Sequence, residues 1–278
     1  MNYLKKIRNL TIKLTEILFI KITKKKYWSE KITISSFLNG EIKLKYLSNK
    51  LGFISFFQKK IGRYHFDASL ADTELCMIGK KFQTDKSPFN ETMHRHPYTP
   101  IYHLLFNSLR FKRINLAEIG ILNNSSIKMW REYFPKAKIF GFEFFDKFIE
   151  NAKKDKLKNV FYKKINVCLN GNIKKTFKQC KLKFDIIIDD STHTFDDQIR
   201  IIKETIGFIK PGGILVIEDI PVNNKKYSEE LFHKNIKHLK KYFDFVNFFD
   251  CDHINKFSKG WNNDRLLILI RNDKNNLK

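Results

Sequence analysis

Phe184 to Asp190 reads F-D-I-I-I-D-D, and Lys210 to Ile220 reads K-P-G-G-I-L-V-I-E-D-I. Both are short β-branched runs bounded by turn signals, the pattern of strands buried on both faces. Both finish in carboxylates, Asp189-Asp190 in the first and Glu218-Asp219 in the second. Open parallel sheets bind ligands just beyond the carboxyl ends of such strands. His193, Glu218 and Asp219 are therefore expected to meet Asp189 and Asp190 in one crevice. Hard oxygen ligands beside a titratable imidazole suit metal-assisted proton abstraction.

Outward from these runs, strand and helix patterns alternate from Asn115 onward. Strands are expected at Leu116 to Ile119, Ile139 to Phe142, Val160 to Lys164, Asp185 to Asp189 and Ile214 to Glu218, with two closing strands at Phe243 to Phe249 and Arg265 to Ile270. Helices are expected at Ile101 to Leu109, Ser125 to Phe134, around Phe148, at Ile173 to Cys180, Phe195 to Ile209 and Glu229 to Tyr242. In the Phe195 to Ile209 segment, Ile199, Ile202, Ile206 and Ile209 recur at helical spacing, and Thr194 with Asp197 resembles a capping box. Alternation of this kind implies right-handed crossovers and a doubly wound, mostly parallel α/β sheet of seven strands.

The chain has 278 residues, 42% of them hydrophobic with 27 Phe, which is ample for a large core. Its net charge of +24 is uneven: Met1 to Tyr64 holds 15 Lys/Arg against 3 Asp/Glu. Leu4, Ile7, Leu14 and Leu18 among Lys5, Lys6, Arg8 and Lys13 predict a basic amphipathic helix over Leu4 to Ile22. The chain's own body, a second subunit or a membrane surface could cover its apolar face, and the body or a homo-oligomer partner is expected. Lys31 to Phe57 shows short mixed runs and no chemistry. Three regions are thus expected: a basic extension over 1–79, an acceptor-side loop and helix over 80–110, and a cofactor-binding domain over 111–278.

Cys76, Cys168, Cys180 and Cys251 are scattered and form no C-x-x-C pair, which argues against a structural zinc site or a disulfide framework. Lys13 and Glu16 interrupt what would be the core of a signal peptide, and no apolar run is long enough to span a bilayer. A cytoplasmic location is expected.

A-E-I-G-I-L-N-N-S-S at Ala117 to Ser126 puts Glu118 at a strand end, Gly120 in the turn and Ser125 at a helix start. Glycine lets the backbone approach a ligand, and the free N–H groups of the helix start can donate to it. Glu143, ending the next strand, stands where an acid could take two ribose hydroxyls. A plain β-turn-α connection accounts for the glycine equally well.

Taken together, E-x-G, Glu143, D-D-S-T-H at Asp189 to His193 and K-P-G-G-x-L-V-I-E-D resemble a class I S-adenosylmethionine-dependent methyltransferase. More narrowly, the chain resembles the metal-dependent sugar O-methyltransferases that act on macrolide deoxysugars and bacterial surface glycans. M-W-R-E-Y-F-P-K-A-K-I-F-G at Met129 to Gly141, Thr84-Asp85-Lys86 and His96-Pro97-Tyr98 add to the likeness, which runs from about Phe82 to Ile270. The resemblance implies that Asp190, Glu218 and Asp219 bind Mg²⁺, that His193 is the general base, and that Glu118, Gly120, Ser125, Glu143 and Asp189 lie on the S-adenosylmethionine side. It also implies that Asp85, Lys86, His96 and Tyr98 lie on the acceptor side. Where the family is richer in glycine, this chain has Leu122, Asn123 and Asn124, and asparagine tolerates left-handed backbone.

The expected activity is methylation of a sugar hydroxyl, on a nucleotide-activated, surface-glycan or natural-product sugar. The alternatives are a nucleic-acid methyltransferase, favoured by the charge but lacking an N-P-P-Y or D-P-P-Y motif, and a catalytically silent scaffold of the same fold. No nucleic-acid partner is expected; peripheral membrane contact through the N-terminal helix stays open.

Overall fold

The structure, a computed structural model, describes residues 62–91 and 94–272. The predicted N-terminal helix and the mixed runs of Lys31 to Phe57 lie outside the described residues.

The elements follow in the order β1 (Gly62–Asp67), α1 (Glu74–Lys81), β2 (His94–Arg95), α2 (Tyr98–Phe106), β3 (Asn115–Ile119), α3 (Ser125–Tyr133), β4 (Lys138–Glu143), α4 (Asp146–Lys154) and β5 (Val160–Lys164). There follow α5 (Asn172–Lys178), β6 (Phe184–Asp189), α6 (Phe195–Thr205), β7 (Ile209–Ile217), α7 (Glu229–Ile236), β8 (Phe243–Asp252), β9 (Phe257–Ser258) and β10 (Arg265–Arg271). Helix starts are capped where the sequence offers a hydroxyl: Thr73, Thr194 and Ser228 accept from the N–H groups of Cys76, Asp197 and Leu231. The helix predicted to run to Ile209 ends at Thr205, continues as a 3₁₀ turn over Ile206–Phe208, and hands Ile209 to β7.

The main sheet has eight strands in the order β1, β8, β10, β7, β6, β3, β4, β5. The seven predicted strands are all present, and β1 adds an eighth at one edge, parallel to β8. It comes from the stretch assigned to the basic extension. β10 runs antiparallel to both neighbours, and the rest of the sheet is parallel. The strand order reverses between β3 and β6, which opens a crevice at their carboxyl ends.

Alternation along each strand sorts the core into two layers. Ile186, Ile188, Val216, Leu266 and Ile268 pack with Trp130, Tyr102, Phe106 and Phe134 on one face. Ile187, Leu215, Ile217 and Leu267 pack with Phe177, Ile199, Ile202 and Phe232 on the other. Burial on both faces explains why the central strands read as continuous apolar runs. Among the described residues, no helix is long and apolar enough to cross a membrane.

Candidate active site

A cavity of about 730 Å³ opens at the carboxyl ends of β3, β4 and β6. Its floor is the turn after β3. Gly120 has φ 89°, and a side chain there would bring its Cβ to 1.9 Å from the carbonyl oxygen of Asp190. The turn can therefore approach β6 this closely only with glycine. Leu122 and Asn124 also take positive φ, 40° and 67°, so asparagine does supply the left-handed backbone just before α3. Glu143 ends β4, and its carboxylate accepts from the backbone N–H groups of Ile121, Leu122, Phe144 and Phe145. It thereby ties the β3–α3 turn to the end of β4, and it also lines the cavity beside Phe144, Phe145 and Phe148.

At the other end of the cavity, Asp190, His193 and Asp219 each offer one ligand atom, all within 4.8 Å of one another. His193 Nε2 stands 3.8 Å from Asp190 Oδ1 and 3.8 Å from Asp219 Oδ2. The inner oxygen of each carboxylate is held from behind: Lys86 Nζ donates to Asp190 Oδ2, and the Tyr98 hydroxyl donates to Asp219 Oδ1 over 2.6 Å. The backbone of His193 is fixed by the Tyr227 hydroxyl, which donates to its carbonyl over 3.0 Å.

Beneath this opening lies a closed polar network. Lys86, 1% exposed, also donates to Glu218 Oε2 at 2.5 Å and stands 3.4 Å from Glu118 Oε1. Tyr102 donates to the other Glu218 oxygen, and the Trp130 indole N–H donates to Glu118 Oε2 over 2.9 Å. Burial works against the Lys86 charge, but the surrounding carboxylates outweigh it and hold the ammonium well above its usual pKa. Burial pushes Glu118 up to about 7, and Asp189, whose carboxylate accepts from the Ser191 hydroxyl, to about 7 as well. Burial also raises Glu218, opposed by Lys86. Asp219 goes the other way: despite its burial, His96, His193 and the Tyr98 hydroxyl bring its pKa below the usual range.

The predicted residues thus divide. Gly120, Glu143, Asp190, His193, Asp219 and Asp85 line the cavity. Glu118 and Asp189 do not, because the first is fully enclosed by Trp130 and Lys86 and the second is 2% exposed. Ser126 lines the cavity rather than Ser125, since the first turn of α3 aims the second serine inward. Glu218 is 1% exposed with both oxygens taken, so it lies under the cluster of Asp190 and Asp219 rather than in it. Lys86, His96 and Tyr98, expected on the acceptor side, are buried supports of the carboxylates; His96 bonds Asp264 through Nδ1 at 2.8 Å and lies 3.9 Å from Asp219 through Nε2. His94, not among the expected residues, also lines the cavity.

Tyr102, Trp130 and Asp264 are not singled out by the sequence patterns. Tyr98 and Tyr102 stand one helical turn apart on α2 and donate to the consecutive acids Asp219 and Glu218. That i, i+4 pair is a signal the sequence carries.

Residues 123–269 match the family model described as a methyltransferase domain. An 8-demethyl-8-(2-methoxy-alpha-L-rhamnosyl)-tetracenomycin-C 3'-O-methyltransferase of Streptomyces olivaceus is 30% identical over 132 residues, 45% of this chain and 32% of that protein. A mycinamicin VI 2''-O-methyltransferase of Micromonospora griseorubida is 25% identical over 154 residues, 53% of this chain and 36% of that one. The chain spans about a third of the length of these curated relatives. The solved MycE methyltransferase from the mycinamycin biosynthetic pathway, in complex with Mg, SAH and mycinamycin VI, shares the fold with a TM-score of 0.53 at 17% identity, over 75% of this chain and 57% of that one.

Proposed function

The chain belongs to the methyltransferase domain family, and on that premise we propose that it transfers the methyl group of S-adenosylmethionine to a hydroxyl of a sugar, assisted by a divalent cation such as Mg²⁺. The observation that carries this reading is the meeting of Asp190, His193 and Asp219 at the mouth of the switch-point cavity. The relatives named above are O-methyltransferases that act on a rhamnosyl-tetracenomycin and on mycinamicin VI, which supports a natural-product sugar as the acceptor.

The side chains fit both groups. Asp190 and Asp219 offer hard oxygen donors within 4.8 Å of each other, and they would hold the cation. Gly120, Ser126 and Glu143, with Phe144 and Phe145, line a cavity of a size and polarity suited to a nucleoside, and they would hold the cofactor. When bound, the cation supplies positive charge that makes a sugar hydroxyl acidic near neutral pH, and the cofactor supplies an electrophilic sulfonium methyl. His193 Nε2 takes the hydroxyl proton, which requires the proton of the neutral ring to sit on Nδ1. Asp219 Oδ2, 3.8 Å away, then stabilises the imidazolium. Tyr98 and Lys86 keep the two carboxylates from swinging, so that the geometry is set before substrate arrives.

The test is incubation with methyl-labelled S-adenosylmethionine and a panel of glycosides and nucleotide sugars, with and without chelator, and with RNA and DNA in parallel. Label in a sugar, lost in chelator, is the expected result. Label in nucleic acid, or turnover undiminished in chelator, overturns it.

A further inference from the structure

The connection from β8 to β10 leaves the sheet at the end where β3, β6 and β7 finish, because β10 runs antiparallel to both β7 and β8. Its backbone is tied to the site at several points. Val222, in the segment that follows Asp219, donates its N–H to the Asn262 carbonyl over 2.7 Å. The Asn263 carbonyl accepts from the Tyr98 hydroxyl, the same hydroxyl that donates to Asp219. Earlier in the connection Ser258 pairs with His94, Oγ to ring Nδ1 at 3.3 Å, and His94 lines the cavity. Between these anchors a turn closes with the Trp261 N–H on the Ser258 carbonyl, and Gly260, at φ 75°, supplies its left-handed residue. Trp261 thus rides on a fixed backbone, yet it is 61% exposed.

We propose that Trp261 is the platform on which the acceptor sugar stacks. This rests on the sugar-methylation reading above. An indole this exposed on a pinned turn keeps a large apolar face in water, and a ligand that covers it gains the burial of that area. The proposed cofactor end of the cavity lies elsewhere: Phe144, Phe145 and Phe148 stand beyond the end of β4, on the far side of β3 and β6 from β10. A pyranose fits the indole, since a face of the ring that carries mainly C–H bonds is apolar while the hydroxyls project around its rim. Stacked flat on Trp261, the sugar keeps those hydroxyls free to reach toward Asp190, His193 and Asp219.

The test uses full-length protein and, as probe, the sugar of the panel above that takes label in wild type, beginning with methyl α-L-rhamnopyranoside. In Trp261→Ala the KM for that sugar is expected to rise about tenfold or more, with kcat and the KM for S-adenosylmethionine within about threefold of wild type. Trp261→Phe keeps an apolar ring and is expected to restore most of the loss. An unchanged sugar KM in Trp261→Ala overturns the proposal, and so does a rise shared equally by the cofactor or left unrescued by phenylalanine, which makes the residue a support of its loop. Acrylamide quenching of fluorescence gives a second readout without turnover. The signal lost in Trp261→Phe belongs to Trp261, since Trp130 is fully buried, and saturating sugar is expected to shield it; an indole quenched as readily with sugar as without overturns the proposal too. Wild-type protein that labels no sugar at all refutes the sugar-methylation reading itself, a result separate from methylation indifferent to Trp261.

Discussion

His193 and Asp219 face each other across the ends of two neighbouring strands, Nε2 to Oδ2 at 3.8 Å, and both hold their backbone in the left-handed region at φ 56°. Neither is glycine, so each conformation costs about 1–3 kcal/mol that surrounding contacts must offset. The Tyr227 and Tyr98 hydroxyls, anchoring the His193 carbonyl and the Asp219 carboxylate, are among those contacts. Strain held at these two facing side chains fits the proposal that they form a pre-set site.

His193→Ala removes the proposed proton acceptor without touching the Glu143-tied turn. Turnover is expected to fall roughly 10²- to 10⁴-fold while S-adenosylhomocysteine affinity stays near wild type. Steady-state kinetics beside a binding titration checks this, and loss of both together makes the residue structural.

Tyr98→Phe deletes the hydroxyl behind Asp219 and leaves the ring stacked on His96, 5.1 Å between centroids. Partners of metal-binding groups that sit behind them are commonly worth 10–100-fold in metal affinity, and a loss of about that size is expected for Mg²⁺. Unchanged affinity means Asp219 keeps its orientation unaided.

Gly120→Ala places a Cβ 1.9 Å from the Asp190 carbonyl oxygen at φ 89°. The left-handed backbone alone costs about 1–2 kcal/mol, so a total loss of roughly 3 kcal/mol or more is expected in urea unfolding. A variant as stable as wild type would mean the turn can move away from β6.

His96 carries a pH signature. Burial opposes its charge, but Asp219 and Asp264 outweigh that and raise its pKa to about 9. A pKa raised on folding gives stability that is fully present below about 6.5 and is lost as pH rises through about 9. Against His96→Gln, metal-free wild-type protein should lose up to roughly 3 kcal/mol across that window. Equal slopes for the two proteins in urea unfolding at successive pH values would refute it.

The parallel strands announce themselves because each is a β-branched run closed by turn residues, and the period of the helices between them is equally plain. Strand β1 is less legible: G-R-Y-H-F-D alternates but is an edge strand, and its partner β8 lies about 180 residues away. The break at Thr205 is hidden for a related reason, since Ile206 and Ile209 keep helical spacing while belonging to a 3₁₀ turn and a strand.

At the site, the sequence by itself placed Asp189, Asp190, His193, Glu218 and Asp219 around one crevice, because strand ends and a switch point are local and topological facts. It also marked Gly120 and Glu143, through turn chemistry and strand-end position. Only the tertiary structure decided which acids face the cavity and which face inward. Glu218 and Asp219 are adjacent in the chain, yet one points at Lys86 and Tyr102 and the other at His193. The deciding contacts come from α2 and the loop before it, over a hundred residues earlier. The physical reason is that a buried carboxylate must find donors wherever the fold brings them, and no local pattern records which donors those are.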